Sequence, residues 1–371
     1  MMSALRYLPG LAAAILAQCV LTTAVLQPCS NTSHEVHVSP IISLDNSAVQ
    51  FISCDSGHDG PRVTPINGTT YEWWYFDAVS NDGSEALTIA FFTASALGFP
   101  FQLPSAIDAT TVAVFATFAD GTTSIVPLLA EGATISTAGG GATGIWKGAG
   151  NFTGTPDLSN YHVSIDSPLL GPRGTLQLTS RGPGHYPCDP LTGGVNEQVI
   201  PHIGWANVIP AAAAEVDFTI NGRRLKFSGS GYHDKNWGDI PITAAVKSWY
   251  WGHGTLGPYD LVWFDAIGSD GAEYVSGYVI ENGQVAGSTC RNLRVRPVGT
   301  QYPPTIPSKN PTQYTLTMPL DDGRNIVATV TKKATQVDVG SVARWIGTIN
   351  GTIGCEVYSG PAVWDQFKLS L

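Results

Sequence analysis

Residues 71–79 read YEWWYFDAV, and five of these nine residues are aromatic. Aromatic and β-branched residues of this kind are typical of a β-strand. Side chains alternate between the two faces of a strand, so Tyr71, Trp73 and Tyr75 share one face. Glu72 lies on the other face, together with further rings. The stretch therefore predicts a strand with one wholly aromatic face and one face on which a carboxylate lies among aromatic side chains.

Similar segments recur along the chain, each bounded by a turn signal such as Asn-Asp-Gly or Asn-Gly. The predicted strands are residues 86–94, 111–118, 122–128, 215–220, 223–227, 260–267, 273–280, 314–318 and 325–331. No stretch of a dozen residues shows helical periodicity in its apolar positions. Short strands at hairpin spacing predict antiparallel sheets, and so an all-β protein built from sandwiches or closed barrels.

An internal match suggests that the β structure is present twice. Residues 74–85 align without a gap with residues 262–273, and both segments contain F-D-A-(V/I)-x-x-D-G-x-E. We therefore predict two related β domains, at residues 46–240 and 241–371, preceded by an N-terminal segment at 25–45. A chance likeness between two hairpins is the alternative.

Composition excludes several classes of protein. The 371 residues are 43% hydrophobic, which is enough to bury a full core and excludes general disorder. The net charge of −10 argues against nucleic acid as a partner, because such binding needs a basic surface. Glycine and proline are scattered without a period, which excludes collagen-like structure.

The N-terminus resembles a secretory signal. A short apolar run at residues 11–21 is followed by small residues at 22–24, so we predict a signal peptide at 1–24. An uncleaved anchor is the alternative, but the run is short for a bilayer span, and we predict no stable membrane span after cleavage. Four sequons predict N-glycosylation, at Asn31, Asn67, Asn151 and Asn350. Asn350 begins Asn-Gly-Thr, which predicts an exposed turn.

The cysteines agree with this route. Cys29, Cys54, Cys188, Cys290 and Cys355 remain after the predicted cleavage. In an oxidising compartment we expect one or two disulfides and an odd thiol, with the pairing left open. The predicted location is the secretory pathway, either outside the cell or in the lumen of a vesicle or vacuole.

The motifs of common covalent and metal-dependent enzymes are missing, including G-x-S-x-G and H-E-x-x-H. His233 and Asp234 are adjacent, so on a strand they would point to opposite faces and could not share a metal ion. We predict no metal site. Residues 229–238 (GSGYHDKNWG) have glycines at both ends and are expected to form a tight polar turn. That turn could supply His233 or Asp234 as a proton donor or acceptor, or it could be a structural corner.

Other aromatic segments strengthen the prediction of a cavity. They are residues 249–253 (WYWGH), residues 202–207 (HIGWAN) and the pair Arg344-Trp345. Clustered tryptophan and tyrosine with a few isolated polar groups can line a large apolar cavity. The same residues could also simply fill a core. Glu72 is likewise open to two interpretations, as a catalytic acid or as a carboxylate in solvent or in a structural ion pair.

Two motifs carry a resemblance to a known family. Glu-Trp-Trp-Tyr-Phe-Asp at 72–77 and Gly-Tyr-His-Asp-Lys-Asn-Trp-Gly at 231–238 resemble the carotenoid hydratase (hydroxyneurosporene synthase)-like superfamily. Within it, the chain is most similar to the fungal Diels–Alderases of secondary metabolism. The resemblance implies two tandem lipocalin-like antiparallel β-barrel domains, an apolar pocket at and near their interface, and no cofactor. A secretory signal fits best the hetero-Diels–Alderases of tropolone–sesquiterpenoid pathways.

The expected activity is therefore a stereoselective [4+2] hetero-Diels–Alder addition of a quinone-methide-type diene to a sesquiterpene such as a humulene. Its substrates would be small apolar polyketides or terpenoids. The candidate polar residues for catalysis are Glu72, His233, Asp234 and Arg344. The candidate substrate-binding residues are Tyr71, Trp73, Tyr75, Trp205, Asn207, Trp237, Trp249, Trp251, His253, Trp263 and Trp345.

Two other functions remain open at this point. One is an isoprenoid hydratase or dehydratase, in which an acid protonates a double bond. The other is a secreted lipocalin-like carrier that binds an apolar ligand without chemistry. The oligomeric state is not predicted.

Overall fold

The computed structural model describes residues 35–101, 106–167 and 171–371. The described residues belong to one compact unit. The predicted signal peptide, Asn31 and Cys29 lie outside the described residues. No helix in the described part of the chain is long and apolar enough to cross a membrane.

The regular secondary structure in the first half of the described chain consists of strands. The strands are β1 (Glu35–Val38), β2 (Ala48–Val49), β3 (Val63–Thr64), β4 (Tyr71–Ser80), β5 (Ala86–Ala94), β6 (Thr110–Thr117), β7 (Thr123–Leu129), β8 (Ala133–Ala138), β9 (Gly141–Trp146), β10 (Gly150–Gly154), β11 (Asn160–Asp166), β12 (Arg173–Ser180), β13 (Gln198–Ile200), β14 (Ile203–Ile220) and β15 (Arg223–Gly238). Strands β2 and β3 pair only with each other. The rest form one antiparallel sheet in the order β1-β8-β9-β10-β11-β12-β14-β15-β4-β5-β6-β7, with β13 beside β14.

This first sheet curls around its own core. Trp74 on β4 and Trp146 on β9 are several strands apart in the sheet, yet their ring centroids are 5.6 Å apart. Phe91 on β5 packs on the same Trp146 ring at 5.0 Å. These rings belong to one buried apolar cluster, so the inside of the curled sheet is filled by side chains.

The second half repeats this architecture on a smaller scale. A short helix α1 (Ile242–Ala245) leads into β16 (Val246–Leu256), β17 (Tyr259–Gly268), β18 (Glu273–Glu281), β19 (Gln284–Thr289), β20 (Arg294–Pro297), β21 (Gln313–Pro319), β22 (Asn325–Asp338), β23 (Val342–Ile353) and β24 (Glu356–Lys368). Their order is β19-β18-β17-β16-β24-β23-β22-β21-β20. A second buried cluster, which includes Tyr250, Tyr314 and Trp345, fills the inside of this sheet.

A third buried cluster joins the two sheets. It contains Trp73 and Tyr75 from β4 and Trp249 and Trp251 from β16. The Tyr75 and Trp251 rings meet edge to face at 5.2 Å. The prediction of an all-β protein with curled antiparallel sheets is thus confirmed. The change of sheet falls between Gly238 and Val246, and the division into domains at residue 240 stays a prediction.

The sequence match that suggested two copies pairs strands that are not equivalent. It aligns β4 with β17. In the first sheet, β4 pairs with β15, which is the last strand of that sheet in chain order. In the second sheet, the strand that pairs with the last strand, β24, is β16 and not β17. The faces differ as well. Tyr75 lies between the sheets, whereas the matched Trp263 lies inside the second sheet. The match is therefore a likeness between two hairpins, and the structural equivalence is between β4 and β16.

Two predicted turns are wrong, because both lie inside strands. Residues 229–238 belong to β15, which is paired on one side with β14 and on the other with β4. The glycines there allow close packing, since a Cβ on Gly238 would lie 2.5 Å from the Tyr71 ring. Asn350 lies inside β23, although it is exposed as expected.

Of the other sequons, Asn151 is exposed and Asn67 is half-buried, and glycosylation stays a prediction.

The prediction of one or two disulfides and an odd thiol is confirmed. Cys188, from the segment between β12 and β13, is bonded to Cys290, which follows β19. This bond joins segments that belong to different sheets. Cys54 is also disulfide-bonded, while Cys355 is free and exposed.

We expect the double substitution Cys188→Ser/Cys290→Ser to lower the free energy of unfolding by about 2–5 kcal/mol. The bond closes a loop across a sequence separation of 102 residues, so its loss restores much conformational freedom to the unfolded chain. Urea unfolding of the two proteins measures the difference. Cys355→Ser is the matched control and should unfold like the unchanged protein. An equal midpoint for the double variant would contradict the prediction.

Candidate active site

A cavity of about 360 Å³ lies between the two sheets. Its walls are formed by alternate residues of the strands, because every second side chain of a strand points to the same face. The lining residues are Trp73, Tyr75, Ala90, Phe92, Phe99, Pro100, Phe101, Thr111, Ala113, Phe115, Ile125, Pro127, Asp234, Asn236, Trp249, Trp251, Phe264, Val337, Val339, Ser341, Val342, Arg344, Asp365 and Phe367. The predicted aromatic face of residues 71–79 thus forms part of this cavity.

The two sheets contribute one aromatic wall each. Trp73 and Phe99 pack at 4.6 Å on the side of the first sheet. Trp249 and Phe367 pack at 4.1 Å on the side of the second sheet. A planar apolar molecule could therefore lie between two sets of rings, which favours binding by ring contacts and burial.

Asp234 is the acid group on the wall of the first sheet. Its Oδ2 atom accepts hydrogen bonds from Trp205 Nε1 at 2.7 Å and from Tyr232 Oη at 2.7 Å. Burial raises the pKa of Asp234 to about 7, and the two hydrogen bonds only partly oppose this. Oδ1 accepts no hydrogen bond from the described residues. At neutral pH the carboxyl group can therefore hold a proton that it can offer to a ligand.

Arg344 and Asp365 form the polar part of the wall of the second sheet. Arg344 Nη2 donates to Asp365 Oδ2 at 3.0 Å, and Trp249 Nε1 donates to Oδ1 at 3.1 Å. Burial raises the pKa of Asp365, and the positive charge of Arg344 opposes that rise. The guanidinium also lies over the Tyr75 ring, 4.7 Å from its centroid. Asp365 is therefore a carboxylate with a cationic partner.

The two carboxyl groups occupy equivalent positions in the two sheets. Asp234 on β15 lies opposite Tyr75 on β4, and Asp365 on β24 lies opposite Trp251 on β16. Each accepts a hydrogen bond from a residue of the preceding strand. For Asp234 the donor is the neutral side chain of Trp205 on β14, and for Asp365 it is the cationic side chain of Arg344 on β23. The two carboxyl groups therefore differ in their partners, which are neutral donors for Asp234 and a cation for Asp365.

A buried polar contact connects the sheets beside the cavity. His253 Nε2 lies 2.9 Å from Asp77 Oδ1, and Tyr75 Oη donates to Asp77 Oδ2 at 2.7 Å. The His253 ring stacks on Tyr232 at 4.6 Å, and Tyr232 in turn donates to Asp234. The predicted ligand contact His253 therefore supports the acid group from behind instead of lining the cavity.

Glu72 and His233 do not reach the cavity, because they lie on the opposite face of their strands. Glu72 accepts hydrogen bonds from Lys235 Nζ and from the Arg62 backbone N–H, the latter at 2.8 Å. His233 stacks on Phe76 at 3.9 Å, inside the core of the first sheet. The structure thus separates these two candidates from Asp234 and Arg344, which line the cavity, and Glu72 has the structural ion-pair environment that the sequence left open.

The expected substrate-binding residues divide into three groups. Trp73, Tyr75, Trp249 and Trp251 line the cavity. Trp205 and His253 lie behind it, where Trp205 donates to Asp234 and His253 stacks on Tyr232. The remaining residues lie elsewhere in the buried interior: Tyr71 packs beside Trp73, Asn207 bonds to His185, Trp237 stacks on Phe51, and Trp263 and Trp345 belong to the core of the second sheet.

Sequence reasoning missed Asp365, Asn236 and the apolar residues of the walls, such as Phe92. Asp365 could have been found, because residues 363–367 read VWDQF, an aromatic strand pattern that includes a carboxylate like that of residues 71–79. Asn236 shares its face with Asp234 by the same alternation. No group of three or more His, Cys, Asp and Glu side chains within the described ranges could hold a metal ion.

The chain belongs to the Diels–Alderase-like family, whose model matches residues 43–296. It is 40% identical to the quinolone epoxide rearrangement protein asqO of Emericella nidulans, over 87% of this chain and 90% of that protein. It is also 40% identical to the quinolone epoxide rearrangement protein penF of Penicillium thymicola, over 87% and 92% respectively. Its fold is similar to that of CghA in a crystal structure with Sch210972, with a TM-score of 0.74 at 18% identity, covering 91% of this chain and 99% of CghA.

Proposed function

We propose that the protein is an isomerase that rearranges an epoxide of a quinolone-type substrate by acid catalysis in the cavity between the sheets. The observation that carries the proposal is Asp234, a buried carboxyl group on the wall of an aromatic cavity whose hydrogen-bond donors among the described residues are neutral. Two relatives with 40% identity over most of their length have names that describe this kind of reaction.

The proposed reaction needs one proton and no net change in composition. Asp234 donates its proton to the epoxide oxygen as one C–O bond breaks. A substituent then migrates with its bonding electrons to the electron-poor carbon, and the O–H proton leaves as the carbonyl forms. The proton returns to Asp234, so substrate and product are isomers and the acid is regenerated.

The other wall residues favour the positive charge that develops on carbon. Aromatic faces such as those of Trp251 and Trp249 attract cations at close range. The Asp365 carboxylate adds a fixed negative charge on the opposite sheet, and preorganised charge of this kind stabilises a transition state. The size of the cavity agrees with one aromatic substrate, since ligand pockets range from about 300 to 1,000 Å³ and this one is near the lower end.

The expected hetero-Diels–Alder addition is the second candidate. Its support is the family itself and the pair of facing aromatic walls, which could hold a quinone-methide diene against a sesquiterpene. Asp234 would then assist the loss of water that forms the diene. Holding two reactants in this way can supply about 7–11 kcal/mol of the barrier.

One experiment separates these functions. The purified protein is incubated with a quinolone epoxide, and separately with a quinone-methide precursor and humulene, and products are followed by chiral chromatography with mass detection. A carbonyl isomer of the epoxide supports the proposal. An enantioenriched adduct would replace the proposal with the cycloaddition. A hydrated alkene would replace it with the hydratase, and binding of the ligand without conversion would replace it with the carrier.

The rate of rearrangement should fall as the pH rises through about 7. Burial places the pKa of Asp234 at about 7, and only the protonated form can donate to the epoxide. The rate should therefore level off below that pH and decline above it. Measuring kcat/KM from about pH 5 to pH 9 checks this, with the uncatalysed reaction at each pH as the control. A rate that is flat or rising across pH 7 would contradict the role of Asp234.

The proposed location is the secretory pathway. The disulfide-bonded Cys54, Cys188 and Cys290 support it, because such bonds persist mainly in oxidising compartments.

A further inference from the structure

Arg344 has donors that the protein does not use. Its guanidinium offers five N–H groups, and in the described chain its only hydrogen-bond acceptor is Asp365. The Nε atom is buried without a partner. Arg344 lines the cavity and its side chain is 12% exposed, so N–H groups that Asp365 does not engage can reach an acceptor on a ligand.

Asp365 places acceptor atoms beside these donors. Each of its oxygens accepts one hydrogen bond, from Trp249 or from Arg344, and each carboxylate oxygen can accept two. The ion pair thus offers a donor and an acceptor side by side on one wall of the cavity.

We infer that the Arg344–Asp365 pair binds the cyclic secondary amide of the substrate. In a lactam ring the N–H and C=O groups point to the same edge, which matches a neighbouring acceptor and donor. Arg344 donates to the carbonyl oxygen, and the lactam N–H donates to Asp365. This inference rests on the proposed function and specifies the part of the quinolone that is recognised.

Other carbonyl compounds fit this pair less well. A free carboxylate would accept from Arg344 but would meet the negative charge of Asp365. An ester, or an N-alkylated amide, has no N–H group and would leave the Asp365 oxygen facing a lone pair or a methyl group. A buried charged acceptor without its donor lowers affinity strongly, so the pair selects secondary lactams.

This anchoring also orients the substrate. The lactam edge is held on β23 and β24 of the second sheet, while Asp234 lies on β15 of the first sheet. The far side of the ring system, where the reacting epoxide would be, then faces the acid. Recognition and proton transfer are thus assigned to different sheets.

The test compares the binding of two unreactive ligands, quinolin-2-one and N-methylquinolin-2-one, by quenching of the tryptophan fluorescence of the folded protein. We expect the N-methyl compound to bind roughly ten-fold more weakly, or worse. Equal affinities would overturn the inference. This ratio is measured on the unchanged protein, so it does not depend on whether any variant folds.

Substitutions then show which residues cause the preference for the N–H ligand over the N-methyl ligand. The double substitution Arg344→Met/Asp365→Leu removes both charges together, which avoids leaving one of them unpaired in the interior. It should bind both ligands equally, whereas Ser341→Ala, which changes another polar residue of the same wall, should keep the preference. A preference that survives in the double variant would also overturn the inference. If the N-methyl and N–H epoxides rearranged at equal rates, the lactam site would be contradicted but the proposed function would stand. If the protein bound the N–H ligand selectively but rearranged neither epoxide, the proposed function would be contradicted but the lactam site would stand.

Discussion

Replacing Asp234 with asparagine should lower kcat for the rearrangement by about 10²–10⁴-fold while leaving the affinity for quinolin-2-one unchanged. The amide has nearly the same shape as the acid and can still accept the hydrogen bonds from Trp205 and Tyr232. It cannot donate a proton to an epoxide oxygen. Single-turnover assays and fluorescence binding on the same preparation separate the two effects.

Two observations make this result specific. The residual activity of Asp234→Asn should lose the decline above about pH 7, because the group responsible is gone. The matched control is Asp239→Asn, a carboxyl group outside the cavity that pairs with His202. It should retain full activity. If Asp234→Asn kept the rate and the pH profile of the unchanged protein, the site would have been assigned wrongly.

The largest effect on stability is expected from Lys235→Met, at about 3–5 kcal/mol. Lys235 and Glu72 are both almost completely buried, and Lys235 Nζ donates to Glu72 and to the Gly60 carbonyl. Burial raises the pKa of Glu72 and lowers that of Lys235, and each charge opposes the shift of the other. Removing the lysine leaves a buried carboxylate with too few partners. Urea unfolding measures the loss.

The double variant Glu72→Gln/Lys235→Met is the informative comparison. Glutamine keeps an acceptor for the Arg62 backbone N–H but carries no charge, so most of the lost stability should return. The double variant should also retain the rearrangement activity, because neither residue lines the cavity. A stable but inactive double variant would mean that Glu72 has the catalytic role that its sequence context first suggested.

The sequence predicted the strands around residues 71–128 closely, and the reason is local. Aromatic and β-branched runs end at glycine turns, so β4 to β7 begin and end within about two residues of their predicted bounds. The alternation of side chains also predicted that Tyr71, Trp73 and Tyr75 share a face, and all three belong to the cluster between the sheets. These features depend only on neighbours in the chain.

The candidate site was predicted less well. Residues 229–238 contain three glycines, a pattern that predicts a turn. In the structure the same residues form the end of a long strand, where the glycines make room for the Tyr71 ring and for the neighbouring strand β14. A turn could have offered either Asp234 or His233 to a ligand, whereas β15 directs Asp234 into the cavity and His233 into the core of the first sheet.

The all-β class, the aromatic face of β4, the presence of disulfides and the kinds of side chain available for acid catalysis can all be read from the sequence. Which carboxyl group has a cation beside it depends on how the strands pair. Lys235 lies beside Glu72 and Arg344 lies beside Asp365, whereas among the described residues the hydrogen-bond donors to Asp234 are neutral. The pKa of a buried acid depends on charges a few ångströms away, and these lie on neighbouring strands of the sheet, which in the case of Lys235 and Glu72 bring together residues 163 positions apart. Local sequence patterns therefore do not identify the acid of this site.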